Sequence, residues 1–430
     1  MKKLSLLIMT LFISISGHGQ QGGDIKIVHA GTLLAVPGEA PENQKSIVIR
    51  SDRIDQILDG YVTPSDLGMD AQIIDLRDKF VLPGLIDMHV HITFELGPDS
   101  RNDALYVTTS MEALRGAHYA GITLRAGFTT VRDLGAEPEA IFALRDAINQ
   151  GLIDGPTIIA AGSAIAATGG HGDVDGYKPE LLKLWTPDTI CDGPYDCRRA
   201  VREAVKFGSD WIKITATGGV LSDTGTGLGQ QLSDDELVEI MNTAHGLGVK
   251  VAAHAHGADG INSALRAGVD SIDHGTFLDD ESIRLFLETG AYLVPTLLPG
   301  IKIPESMEGN PFYTDDIKAK ANAAGAAAME NIQRAYLAGV NIAFGTDTAV
   351  TPHGLNGEEF AYMVQLGMSE MEAIYAATMS AATLLSQADV IGSIAAGKRA
   401  DIIATDRSPL ADITELERVS AVIKAGKLIR

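Results

Sequence analysis

The sequence predicts an α/β protein, a parallel (β/α)8 TIM barrel joined to a small β-sandwich domain built from both chain termini. Three observations carry this reading. Between Pro83 and Leu385, short apolar runs alternate with stretches of helical periodicity about eight times, over roughly the length one such barrel needs. Runs of β-like character, punctuated by Gly, Pro and Asn, precede and follow that region. Several of the apolar runs end in residues able to bind metal, where barrels keep their working groups. A doubly wound open sheet is the weaker alternative, since no GxGxxG follows the first strand.

The chain opens with Lys2 and Lys3, an apolar run over Leu4–Ile15, and small residues from Ser14 to Gly19. This is the pattern of an export signal over residues 1–16, too short to span a bilayer, with cleavage expected between Ser16 and Gly23. The expectation is a periplasmic or secreted protein with no membrane contact after cleavage. β-like runs follow at Asp24–Val36, Ser46–Asp59 and Ala71–Leu76, and Gly392–Thr405 and Val419–Arg430 share their character. Chain ends usually lie at the surface, so both sets are assigned to one small β-domain. Barrel strands are read at Leu85–His91, Phe128–Leu134, Thr157–Ser163, Trp211–Ala216, Val249–His254, Ser271–His274, Ala291–Leu297 and Asn341–Gly345. Asp234–Leu247 and Ala319–Ala338 have helical spacing. AGVDSIDHG and AGVNIAFGTD repeat one pattern of helix end, glycine stop, apolar strand and polar residue. The expected division is a leader over 1–22, β-domain parts over 23–82 and 386–430, and the barrel over 83–385.

Of the 430 residues, 45% are hydrophobic, ample for a large core, and only 5% are aromatic, so Ala, Val, Ile and Leu must fill it. The net charge of -22 argues against nucleic acid, whose phosphates need a basic face, and against anionic lipid. Solubility accounts for such a charge; attraction of metal ions or cationic substrates is a second use. Cys191 and Cys197, in CDGPYDC, are the only cysteines, and their spacing does not suit a CxxC redox or zinc knuckle. In an oxidising compartment they would close a short loop; two free thiols are the alternative.

Leu82–His91 reads LPGLIDMHVH. Alternate side chains of a strand share a face, so Asp87, His89 and His91 point the same way and two imidazoles can grip one metal ion. DWIKITATGG puts Lys213 inside an apolar run. A snorkelling surface lysine is the plain alternative, but a barrel strand is covered on both faces. A buried amine tends to shed its proton. Once neutral, it can combine with carbon dioxide to a carbamate, an anion able to bridge two cations. VKVAAHAHG adds His254 and His256, SIDHGT adds His274, and IAFGTDT adds Asp347. One such group alone would be an ordinary hydrogen-bonded core residue; the recurrence at strand ends points to a metal centre. TGGHGD sets His171 on a Gly-rich loop at the same mouth, and TPHGLNGEE sets His353 in a similar position.

HVH on the first strand, Lys on the fourth, His on the fifth and sixth and Asp on the eighth together resemble the amidohydrolase superfamily, from about Asp24 to the C-terminus. DMHVH, DWIKITATGG, VAAHAHG and GTD are similar to its prolidase-like branch, which hydrolyses dipeptides and related amides. The resemblance implies two divalent metal ions. His89 and His91 would bind the first with Asp347, and His254 and His274 the second. Lys213, as N6-carboxylysine, would bridge both. It leaves His256 just outside the metal shell, near substrate, and sets His171 near a substrate carboxylate. Zinc is the default for these ligands, with manganese or iron as alternatives. The implied partner is a small-molecule or dipeptide substrate with a free carboxylate, and assembly into a homo-oligomer is allowed. The sequence departs from the branch in one respect. Relatives carry a carbonyl-polarising tyrosine after the fourth strand, whereas VLSDTGTGLGQQLSDDE has none and Asp234 stands in the corresponding place. The Gly-rich stretch Gly218–Gly229 is read as a lid.

The expected reaction is amide hydrolysis. Two cations against carboxylysine, Asp347 and hydroxide leave a small positive excess, enough to hold hydroxide at neutral pH. Hydroxide attacks the polarised carbonyl, and Asp347 carries the proton to the leaving nitrogen. Other substrates in view are bulkier aryl-amides of the ochratoxin kind and cyclic imides or imidazolones. The non-enzyme alternative, a periplasmic binding or scaffold protein, would need a missing ligand.

Overall fold

The computed structural model describes residues 25–222 and 227–430. The expected export signal and the middle of the expected lid lie outside the described residues. The chain begins with β1 (Ile25–Leu33), β2 (Glu42–Arg50), β3 (Arg53–Asp59) and β4 (Gln72–Pro83). The run expected over Ser46–Asp59 is therefore part of two strands. They reverse near Ser51, whose φ of 58° makes the turn without a glycine to announce it.

Parallel strands follow. β5 (Leu85–Val90), β6 (Phe128–Asp133) and β7 (Thr157–Ala160) form a three-stranded sheet. β8 (Ile212–Thr215), β9 (Val251–Ala255), β10 (Ser271–His274), β11 (Tyr292–Val294) and β12 (Asn341–Ile342) form a five-stranded one. Every residue of β8, β9 and β10 is buried. The helices Pro194–Phe207, Asp234–Gly246 and Ala258–Ala267 pack Val201, Ile240 and Leu265 into the same apolar core as Ile214, Val251 and Ile272. The architecture is α/β and TIM-barrel-like.

The continuous eight-stranded ladder that the sequence predicts is split into these two sheets. A few backbone bonds bridge each seam. Ile165 N–H donates to the Lys213 carbonyl at 2.8 Å, and Asp347 N–H to the His89 carbonyl at 2.8 Å. The ladder is irregular at the second seam because the backbone leaves extended geometry there: φ is 55° at Asp347 and 104° at Ala349.

The chain ends in β13 (Ile402–Thr405), β14 (Ala421–Lys424) and β15 (Lys427–Leu428). With the first four strands these make a seven-stranded mixed sheet, ordered β15-β14-β13-β4-β1-β2-β3. Both chain ends build it, as expected, but it is a single sheet; the facing partner that a sandwich requires is not found among the described elements. β4 passes into β5 through Gly84, where a Cβ would lie 2.2 Å from Thr129 Oγ1. That close approach leaves no room for a side chain at the crossing, which sets the register of the first histidine strand.

Cys191 and Cys197 are bonded to each other at the start of the helix Pro194–Phe207. Among the described residues, no helix is long and apolar enough to cross a membrane.

Candidate metal centre

The C-terminal ends of β5, β8, β9 and β10, with the segment after β12, surround a cavity of about 440 Å³. His89, His91, His171, Lys213, His254, His256, His274 and Asp347 all line it. Donor atoms of His89, His274 and Asp347 lie within 4.8 Å of one another, as do those of His254, His256 and His274. His274 is thus common to two overlapping groups, the second of which includes His256. His91 joins through Asp347, with Nε2 at 3.1 Å from Oδ1. His171 packs on His254 with ring centroids 4.2 Å apart.

The protonation pattern follows from fixed partners. His91 Nδ1 donates to the Gly135 carbonyl at 2.7 Å. A carbonyl can only accept, so a neutral His91 presents the lone pair of Nε2 to the cavity. The Asp347 Oδ1 that it faces is also an acceptor, and it lies 3.4 Å from His89 Nε2. The Nε2 lone pair of His91 and the carboxylate of Asp347 thus converge beside His89 Nε2, an arrangement that a proton or a cation must reconcile. Burial pushes the His91 imidazole down, but the hydrogen bond and charge of Asp347 outweigh it and the net shift is up. Burial first, then neighbouring positive groups, holds His89, His254 and His274 well below the ordinary imidazole value. The same causes bring His171 to about 4 and His256 to about 3. These rings are neutral at pH 7 and available as ligands. His89 Nδ1 is buried and has no hydrogen-bond partner among the described residues. The donor set fits divalent cations of borderline softness.

Lys213 is buried, and desolvation lowers its pKa despite an ion pair with Asp273. Asp273 also receives Arg132 Nη2 at 3.2 Å. Arg132 is fully buried; its Nε donates to the Met88 carbonyl at 2.7 Å, and its guanidinium lies 4.5 Å from the Trp211 ring centroid. On the opposite side, Asp87 does not face the cavity. Its carboxylate accepts from His89 N–H, from the N–H and hydroxyl of Thr346, and from Asn356, and so ties the end of β5 to the Asp347 segment. His274 Nδ1 is hydrogen-bonded to Thr296 Oγ1 at 2.6 Å. His274, Thr296 and Asp347 all have positive φ (71°, 45° and 55°), so backbone strain in non-glycine residues gathers at this rim. Glu359 caps the strained Thr296 turn by accepting from Leu297 N–H at 2.8 Å and Leu298 N–H at 2.7 Å.

Two sequence expectations meet a different environment. His353 is not among the lining residues: its Nε2 is hydrogen-bonded to the Phe94 carbonyl at 2.8 Å and its ring stacks on Tyr119 at 4.3 Å. Asp234 is likewise absent from the lining and accepts from Gln230 at the start of its helix. The described part of the expected lid is pinned at its base, where Gly218 N–H donates to the Gly229 carbonyl at 3.0 Å, and Val220 and Leu221 line the cavity. Arg132, Asp273, Thr296 and Glu359 escaped sequence reasoning. The only available signal was a charged residue inside each of the apolar runs FTTVRDL and SIDH.

Similarities to known proteins bear on this arrangement. The amidohydrolase family profile matches residues 80–429. Ochratoxinase from Aspergillus niger is 32% identical, over 94% of this chain and 87% of the relative. A solved Xaa-Pro dipeptidase with methionine bound in its active site is similar at a TM-score of 0.88 and 42% identity, covering 94% of this chain and 99% of that one. A prolidase in complex with N-methylphosphonate-L-proline gives a TM-score of 0.84 at 31% identity, covering 94% and 99%.

Proposed function

The chain belongs to the amidohydrolase family, a hydrolase of carbon–nitrogen bonds, and from that premise we propose that it uses two divalent cations to cleave the amide bond of dipeptides or N-acyl amino acids bearing a free carboxylate. The observation that carries this reading is the carboxylate of Asp347, which faces the Nε2 atoms of both His89 and His91 on the wall of the cavity. His89, His91 and Asp347 would hold one cation, and His254 and His274 the other. Lys213, as N6-carboxylysine, would contribute to both. Zinc suits this donor set.

When bound, the cations would polarise the scissile carbonyl and lower the pKa of water. The chain's own groups do the rest. Asp347 accepts the proton of the attacking water and returns it to the leaving nitrogen, without which an amide nitrogen departs poorly. His171 and His256 are neutral, so they offer hydrogen bonds to a substrate carboxylate rather than charge. Phe94, Leu96, Leu221, Ile303 and Phe312 exclude water and seat an apolar side chain. That apolar wall also supports a second reading, a bulkier aryl-amide substrate, in keeping with the ochratoxinase similarity.

Closure of both parallel sheets into one (β/α)8 barrel over 83–385, and a separate β-domain built from 23–82 and 386–430, belong to the same proposal. So does export, supported by Lys2, Lys3 and the apolar Leu4–Ile15.

The test is metal analysis of the purified protein together with turnover on Xaa-Pro, Xaa-Arg and aryl-acyl-Phe substrates. About two metal equivalents, and activity lost on chelation and restored by zinc, are expected. Asp347→Asn should abolish turnover while retaining much of the metal. Undiminished hydrolysis after the metals are stripped, or near wild-type turnover in Asp347→Asn, would refute the reading.

A further inference from the structure

His256 enters the reaction above only as a hydrogen-bond partner, yet its geometry is that of a ligand. His254, His256 and His274 are all buried, and one donor atom of each lies within 4.8 Å of the other two. Their ring centroids form a nearly equilateral triangle with sides of 4.6, 4.6 and 4.9 Å. The backbone accounts for this convergence. His254 and His256 stand two residues apart at the end of β9 and share a face. His274 pairs with Ala255, so a regular ladder would turn it to the opposite face; its φ of 71° takes it out of that alternation. One nitrogen of each ring is held from outside. His274 Nδ1 is bonded to Thr296 Oγ1 at 2.6 Å, His256 Nδ1 to Thr276 Oγ1 at 2.7 Å, and His254 Nε2 to the Gly218 carbonyl at 3.4 Å. Nε2 of His256, Nε2 of His274 and Nδ1 of His254 are left. At a Zn–N distance of about 2.1 Å the nitrogens of a tetrahedral site stand about 3.4 Å apart, so an inward shift of about 0.8 Å at each ring closes the shell even from the 4.8 Å limit.

We propose that His256 is a ligand of the second cation, so that this cation loads on three histidines before Lys213 is carboxylated. This rests on the two-cation reading above and adds a loading state to it. Giving His274 to the second cation leaves His89, His91 and Asp347 for the first. Each cation then has three protein ligands and an open position, and no donor is counted twice. Lys213 is not needed in this state and keeps its ion pair with Asp273. When its neutral amine later adds carbon dioxide and sheds a proton to water, a carbamate oxygen can take the place of His256. The Thr276 hydroxyl allows both states, because a hydroxyl donates as well as accepts. Accepting from Nδ1–H, it leaves the His256 Nε2 lone pair to a cation; donating to Nδ1, it leaves Nε2–H to a substrate carboxylate.

The experiment titrates the chelator-stripped full chain with zinc by equilibrium dialysis, in buffer freed of carbon dioxide and again with added bicarbonate. Wild type, Lys213→Ala and His256→Asn are compared. Wild type and Lys213→Ala should both take up about two equivalents without carbon dioxide. His256→Asn should there lose more than about 100-fold in affinity for the second equivalent, beyond what loss of an outer partner costs, and bicarbonate should restore it. A second equivalent that requires bicarbonate or Lys213, or that survives His256→Asn undiminished, overturns the site and leaves the two-cation reading standing. Uptake of about one equivalent under every condition sinks both. Should the variants not fold, cobalt-loaded wild type decides, because paramagnetically shifted imidazole N–H signals count the ligating rings. Without carbon dioxide, signals from His89, His91, His254, His256 and His274 sustain the proposal, and the same set lacking His256 overturns it.

Discussion

Replacing Glu359 by Gln should change how stability depends on pH. Glu359 is fully buried and accepts two backbone N–H groups at 2.8 and 2.7 Å. Burial raises its pKa to about 8, and the negative charges of Asp87 and Asp347 add to the rise. Its unfolded value is near 4.5. Between these values the native state binds the proton more tightly than the unfolded chain. The contribution is therefore fully present below the unfolded pKa and is lost as pH rises through about 8. A raised carboxyl of this size is worth about 4–5 kcal/mol over the window, with a slope approaching about 1.4 kcal/mol per pH unit. Gln cannot ionise, so the variant should lack that slope. It loses one of two acceptor oxygens, a penalty of about 1–3 kcal/mol at low pH that shrinks or reverses by pH 9. Urea unfolding of the metal-free protein, followed by the fluorescence of its two tryptophans between pH 5 and 9, measures both profiles. Parallel profiles would refute the assignment of Glu359 as the titrating group.

Other perturbations follow from the same geometry. Arg132→Met leaves Asp273 and Lys213 buried without the guanidinium and should cost about 3–5 kcal/mol in denaturant unfolding; a loss within measurement error would mean that the pair contributes nothing. Gly219→Ala introduces a Cβ 2.1 Å from His171 Cε1, so the ring must shift; kcat/KM should fall with metal content retained, and unchanged kinetics would free His171 of any substrate role. Alkylation of the intact protein should add no mass until reductant opens Cys191–Cys197, and replacing both cysteines by Ala should cost about 2 kcal/mol for so short a loop.

The histidine strands were legible because two local signals coincide there: alternation over a short apolar run, and a glycine or polar stop at its end. His89, His91, His254 and His274 all sit at such stops, and the structure brings them to one cavity with Lys213 and Asp347. His353 shows the limit of that logic. Its loop lies at the right end of the fold, yet the Phe94 carbonyl and the Tyr119 ring take up its side chain, and neither neighbour is encoded nearby. Arg132 and Glu359 were invisible for the same reason, since their partners Asp273 and Leu297 are distant in sequence. Strand limits were overestimated where the backbone turns under strain. Ala291–Leu297 shrinks to Tyr292–Val294 because Thr296 adopts a left-handed conformation that composition does not announce.

The seven-stranded sheet carries a consequence for synthesis. β4 lies between β1 and β13, so its edge stays unpaired while the ribosome makes the whole intervening region. At ordinary elongation rates that wait is roughly half a minute. During it, the strand that hands the chain to the first histidines cannot be locked. Maturation of the metal pocket should therefore lag behind translation until the last segment emerges, and chains stalled shortly before β13 should be the protease-sensitive ones.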